Sequence, residues 1–164
     1  MSPRIISLPA FEIIGKSLRV STNNNAQFER IPVFWGDCHK DGTVATLRQL
    51  SNKNLLGDTI LGVCSDFADD MSEFTYTVGV EAPGLGTDTE YATLHVPAVS
   101  WAIFESKGAL PESIQRVWKS IMGDFFPNSD DYTHAAAPEI EVYPYGDPRS
   151  DHFQCEVWVP VKPK

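Results

Sequence analysis

No basic run occurs anywhere in the 164 residues, where 13 Lys and Arg stand against 22 Asp and Glu and leave a net charge of −9. Surfaces that track phosphates need clustered Lys and Arg, so direct nucleic-acid binding is not expected. No apolar run approaches the ~18 residues of a membrane span. The opening Met1-Ser2-Pro3-Arg4-Ile5-Ile6-Ser7 is too short in apolar length for a signal peptide. A soluble, cytoplasmic protein with no membrane partner is therefore expected. Cysteine is scarce and odd in number: Cys38, Cys64 and Cys155 lie far apart among apolar residues, as buried thiols in a reducing compartment do. His39, His95, His134 and His152 are scattered, without a second ligand at metal spacing. Neither a Gly-rich phosphate loop nor a Gly-x-Ser-x-Gly elbow is present. No metal or cofactor is expected, and an enzymatic role ranks below a binding one.

What is present suffices for one domain, or for two small repeats sharing a core. Residues 31–38 read as a helix with Ile31, Phe34, Trp35 and Cys38 on one stripe, starting or kinking at Pro32. After the Asp41-Gly42 turn, Thr43 opens a short piece through Leu50. A second helix begins after Gly108 with Pro111 in its first turn and ends by Pro127. Its apolar stripe is Ile114, Val117, Trp118, Ile121 and Phe125, with Trp118 and Phe125 assigned to packing. Strands are expected at 13–21, 59–64, 74–80, 91–96, 100–104, 140–143 and 155–161.

The order strand, helix, strand, strand occurs twice. It predicts an α+β fold of two βαββ repeats with pseudo-two-fold symmetry, antiparallel sheets and helices on one face. Repeat one covers about 8–82 and repeat two about 88–164, joined by a linker over 82–89, with a ligand groove between the repeats.

In the closing strand, alternation puts Glu156 and Trp158 on one face and Cys155, Val157, Val159 and Val161 on the other. A carboxylate beside an indole suits a cation with an apolar body, if the face is covered; a solvated surface Glu is the plain alternative.

Several segments together resemble the gyrase-inhibitory-protein-like (GyrI-like) family, which includes the effector-binding domains of BmrR-type and AraC-type multidrug-responsive regulators. They are Ile31-Pro32-Val33-Phe34-Trp35, Phe74-Thr75-Tyr76-Thr77-Val78-Gly79, the run from Val96 to Gly108 containing Trp101-Ala102-Ile103-Phe104, and Glu156-Val157-Trp158-Val159-Pro160-Val161. The resemblance implies a groove that binds cationic, amphipathic aromatic compounds, with Glu156 as counter-charge. Trp101 stands where the family often has Tyr. The implied wall draws on Trp158, Trp101, Tyr76, Trp35, Phe34 and Phe104, with Tyr91, Tyr143 and Tyr145 as further aromatics. The chain looks like a stand-alone effector-binding domain, a form also found in integron cassettes and linked to multidrug sensing. Two alternatives stay open: a hydrolase of strained electrophiles using the groove glutamate, and a gyrase-interacting inhibitor. A part in transcription regulation requires a DNA-binding partner chain, and homodimer formation is also open.

Overall fold

Alternating apolar runs pair, in a computed structural model that describes residues 2–83 and 90–164, into one nine-stranded antiparallel sheet. Its strands are β1 (Arg4–Leu8), β2 (Phe11–Ser21), β3 (Thr59–Ser65), β4 (Glu73–Glu81), β5 (Ala92–Val96), β6 (Val99–Lys107), β7 (Tyr132–His134), β8 (Glu139–Pro144) and β9 (Gln154–Pro163). The spatial order is β1-β6-β9-β8-β3-β4-β2-β5, with β7 paired to the far end of β9. That order reads alike from both ends. The first repeat contributes β2-β4-β3 and the second β6-β9-β8, meeting at the β3–β8 pair. The leading strands are exchanged, β1 pairing with β6 and β5 with β2. The α+β architecture is as expected; the sheets of the two repeats are continuous rather than separate. The linker expected over 82–89 falls mostly outside the described residues.

Helices cover one face. α1 (Gln27–Lys40) and α2 (Thr43–Leu50) pack on β2, β3 and β4, while α3 (Glu112–Ser120) packs on β6 and β9. Beneath them lies a core of Ile14, Phe34, Leu47, Val78, Phe104 and Val157 among others. The sheet curls so that the opposite face is buried as well: Ile6 and Leu8 from one end and Leu94 and Val96 from the other join a second cluster with Trp101, Ile140, Val142 and Trp158. Both faces of the central strands are thus interior.

α1 starts five residues before Pro32 and runs through it. Proline has no N–H, so the carbonyl one turn earlier, that of Phe28, loses its helical donor. Gln115 of α3 replaces it, donating Nε2 to Phe28 O at 3.3 Å, and Lys119 Nζ lies 5.5 Å from the centre of the Phe28 ring. Beyond α3 the chain continues as a π-helical turn, Ile121–Phe125, where Phe125 meets Phe104 edge-to-face at 5.0 Å.

Candidate functional site

β8 sends Ile140 and Val142 into the second cluster, so Glu139, Glu141 and Tyr143 point under the helices. Glu141 is 5% exposed and stands opposite Gly62 of β3, at the junction of the repeats. Its carboxylate accepts hydrogen bonds from three aromatic side chains. Tyr76 Oη of β4 donates to Oε1 at 2.5 Å, Tyr143 Oη donates to Oε1 at 2.9 Å, and Trp118 Nε1 of α3 donates to Oε2 at 2.7 Å. A fourth aromatic closes the set: Trp35 Nε1 of α1 donates to Tyr76 Oη at 2.7 Å, and its ring meets Tyr143 edge-on at 5.3 Å. Each repeat supplies one strand phenol and one helix indole.

A carboxylate stripped of water prefers its neutral form, while donors favour the anion. For Glu141 burial dominates and raises the pKa above 4.5, against the pull of Tyr76, Trp118 and Tyr143, with the charge of nearby Glu139 adding to the rise. Tyr76 and Tyr143 are pushed well above the usual phenol range, by burial first and by the Glu141 charge second. The phenols therefore stay donors. Tyr76→Phe removes one donor from Glu141 and the acceptor of Trp35, and is expected to cost about 1–3 kcal/mol in urea denaturation.

The seven residues singled out from the sequence divide between the two faces. Tyr76 and Trp35 belong to the Glu141 cluster, and Phe34 and Phe104 to the core beneath the helices. Glu156, Trp158 and Trp101 lie on the other face. There Glu156 Oε1 accepts from Trp158 Nε1 at 3.1 Å, Oε2 pairs with Arg4 at 3.1 Å, and Trp101 tilts against Trp158 at 5.8 Å. Glu156 already has a cation, supplied by the edge strand β1. Glu141 and Trp118 were not singled out. Trp118 lies on the apolar stripe of its helix, and an indole can be both core and donor. A signal for Glu141 was present in Glu141-x-Tyr143, a second strand of the same Glu-x-aromatic form as Glu156-x-Trp158.

An open cleft of about 640 Å³ lies elsewhere, lined by Pro9, Glu12, Leu55, Glu81, His95 and Pro97 among others, and shares no residue with the Glu141 cluster. The Glu81 carboxylate beside it is taken up by the backbone amides of Leu55 and Leu56, at 3.0 and 2.9 Å, and serves to hold that loop. Among the described residues, no group of three or more His, Cys, Asp or Glu side chains is placed to hold a metal ion. No helix described is long and apolar enough to cross a membrane.

The fold has solved counterparts. The chain is 26% identical to SAV2435, whose structure was solved bound to tetraphenylphosphonium, with a TM-score of 0.85 over 99% of this chain and 94% of that one. A putative bacterial transcription regulation protein from Staphylococcus aureus MU50 shares the fold at 24% identity and a TM-score of 0.82, over 99% of both chains. So does an integron cassette protein from the mobile metagenome of Vibrio cholerae, at 16% identity and a TM-score of 0.68, over 98% of this chain and 96% of that one. Among curated protein sequences none matches this chain. The family model for the GyrI-like small molecule binding domain matches residues 1–162, and the chain belongs to that family.

Proposed function

We propose that this domain binds cationic, aromatic small molecules with Glu141 as the counter-charge. The observation that carries this reading is a buried carboxylate enclosed by two phenols and two indoles. Burial leaves Glu141 short of compensation for its charge, and an organic cation with little hydration supplies it. Aromatic faces around the cation add about 0.5–2 kcal/mol. The sheet residues Tyr76 and Tyr143 are buried, whereas Trp35 and Trp118 are partly exposed and sit on helices. A ligand reaches Glu141 by displacing one of these indoles. Binding of tetraphenylphosphonium by SAV2435 supports the same ligand class. Three buried, unpaired thiols suit a reducing, cytoplasmic setting. The macromolecular partners this reading admits are a DNA-binding protein and a second copy of this chain.

A thermal-shift series tests the reading. At a hundred times its Kd a ligand adds about 2.7 kcal/mol, a rise of several degrees. Tetraphenylphosphonium is expected to give that rise, and a neutral aromatic of equal size to give little; equal shifts would sink the proposal. Glu156→Gln discriminates the two faces. It removes the Arg4 pair, at a cost of less than about 1 kcal/mol, and is expected to leave the ligand affinity within about twofold. Loss of binding in Glu156→Gln would move the site to the opposite face.

The burial that raises the Glu141 pKa also fits a general base, which keeps the hydrolase alternative in view. Mass spectrometry of the ligand after long incubation separates the two: unchanged ligand favours binding, and a hydrolysed product favours the enzyme.

A further inference from the structure

A second buried carboxylate shares the face of β8 with Glu141. Glu139 is 4% exposed and two residues away, about 6–7 Å along the strand. Its partner comes from β7, where His134 Nε2 lies 3.1 Å from Glu139 Oε2. The His134 side chain is 37% exposed and lines an open cavity of about 320 Å³ together with Asp66, Phe67 and Ala135. The imidazole therefore exchanges protons with solvent on one side and holds a buried carboxylate on the other. Its hydrogen bond to Glu139 raises the imidazole pKa above 6.5, against the opposing effect of burial.

Asp66, from the loop after β3, is exposed and paired with Arg19. Cys64 of β3 lies opposite Glu139, and its thiol is held protonated by burial first and by Glu141 and Glu139 second. On β9, His134 pairs in register with Val161, and alternation turns the neighbouring Lys162 to the other face. Beyond β7 the imidazole meets the uncharged ring of Phe126 at 5.5 Å. On the Glu141 side stand Tyr76, Tyr143 and Trp118.

We propose that Glu139 and His134 are positioning residues that couple the charge of Glu141 to a proton on His134. Protonated His134 cancels the Glu139 charge. Loss of that proton leaves two carboxylates on one buried strand face, which a bound cation neutralises. On the reading that Glu141 faces a cation, on which this part rests, cation binding expels the His134 proton. By linkage, affinity then rises as pH rises through the imidazole titration.

Two measurements test the coupling. The first follows the His134 ring proton by NMR in ligand-free protein. Glu141→Gln removes a negative charge from the shared face and is expected to lower the His134 midpoint; an unchanged midpoint overturns the proposal. The second measures the tetraphenylphosphonium Kd between roughly pH 6 and 9, across the histidine range. Wild type is expected to tighten about fivefold, the scale of one charge near 10 Å in partly screened protein. His134→Gln keeps an N–H for Glu139 and is expected to flatten the profile. His39→Gln, at a ring 6.1 Å from Trp35, is expected to retain it. The same pH step in His134→Gln contradicts the proposal. A midpoint that moves with Glu141→Gln, alongside no phosphonium binding at any pH, supports the coupling and rejects the cation reading instead.

Discussion

Glu141→Gln is expected to weaken tetraphenylphosphonium binding at least about 30-fold, the smaller end of the ~2–5 kcal/mol lost when one partner of a desolvated charge pair is truncated. The amide has nearly the shape of the carboxylate and keeps an oxygen for the Tyr76 and Tyr143 hydroxyls. What it lacks is charge, together with an acceptor for Trp118 if its nitrogen takes the place of Oε2. Stability should therefore change much less than affinity. Burial already opposes the Glu141 charge, so part of the lost hydrogen bonding is offset by relief of that penalty. Isothermal titration with a parallel melting curve checks both statements. Affinity within a few-fold of wild type would remove Glu141 from the site.

The second large effect is expected at Gly62, which faces Glu141 across the β3–β8 pair. A Cβ there would overlap the Tyr76 hydroxyl oxygen and stand 2.5 Å from Glu141 Oε1 and 2.8 Å from Tyr76 Cζ. These atoms belong to buried groups on neighbouring strands, so none can yield as a surface side chain would. Gly62→Ala therefore combines overpacking, about 1–3 kcal/mol, with disruption of a buried hydrogen bond, about 1–3 kcal/mol more. A loss of about 3 kcal/mol or more is expected, near 10 °C in melting temperature for a chain of this size. Ligand binding should fall with it. In Gly62→Ala combined with Tyr76→Phe the overlapping hydroxyl is gone, and the double variant should recover part of the loss. A simple sum of the two single effects would show that the clash lies elsewhere.

The repeats and both helix stripes were legible because periodicity and order are local properties. Phe34 and Cys38 are buried on α1, and Ile114 and Val117 on α3, where the helical spacing puts them. Which of Glu141 and Glu156 lies beneath the helices was not legible, for a geometric reason. Each lies on an alternating strand with an aromatic two residues on, and both faces of this sheet are covered. Alternation separates the faces without saying which one the helices occupy. On β9 the valines face the helices, and on β8 the glutamates do. Of the two readings open at Pro32, a start there is excluded because α1 begins at Gln27, and the donor replacing the missing N–H comes from Gln115, 87 residues beyond Phe28, where no local pattern shows it. β1 and β7, of five and three residues, carry too little pattern to be recognised apart from their partners.

Charge selectivity tests the central claim most directly. Tetraphenylphosphonium and tetraphenylborate have nearly the same size, shape and aromatic surface and opposite charge. Calorimetric titration of each into the wild-type protein and Glu141→Gln separates the carboxylate from the aromatic wall. The account predicts that wild type binds the cation at least about tenfold more tightly and that Glu141→Gln loses this preference. Equal or tighter binding of the anion by wild type, or a cation preference undiminished in Glu141→Gln, would contradict it.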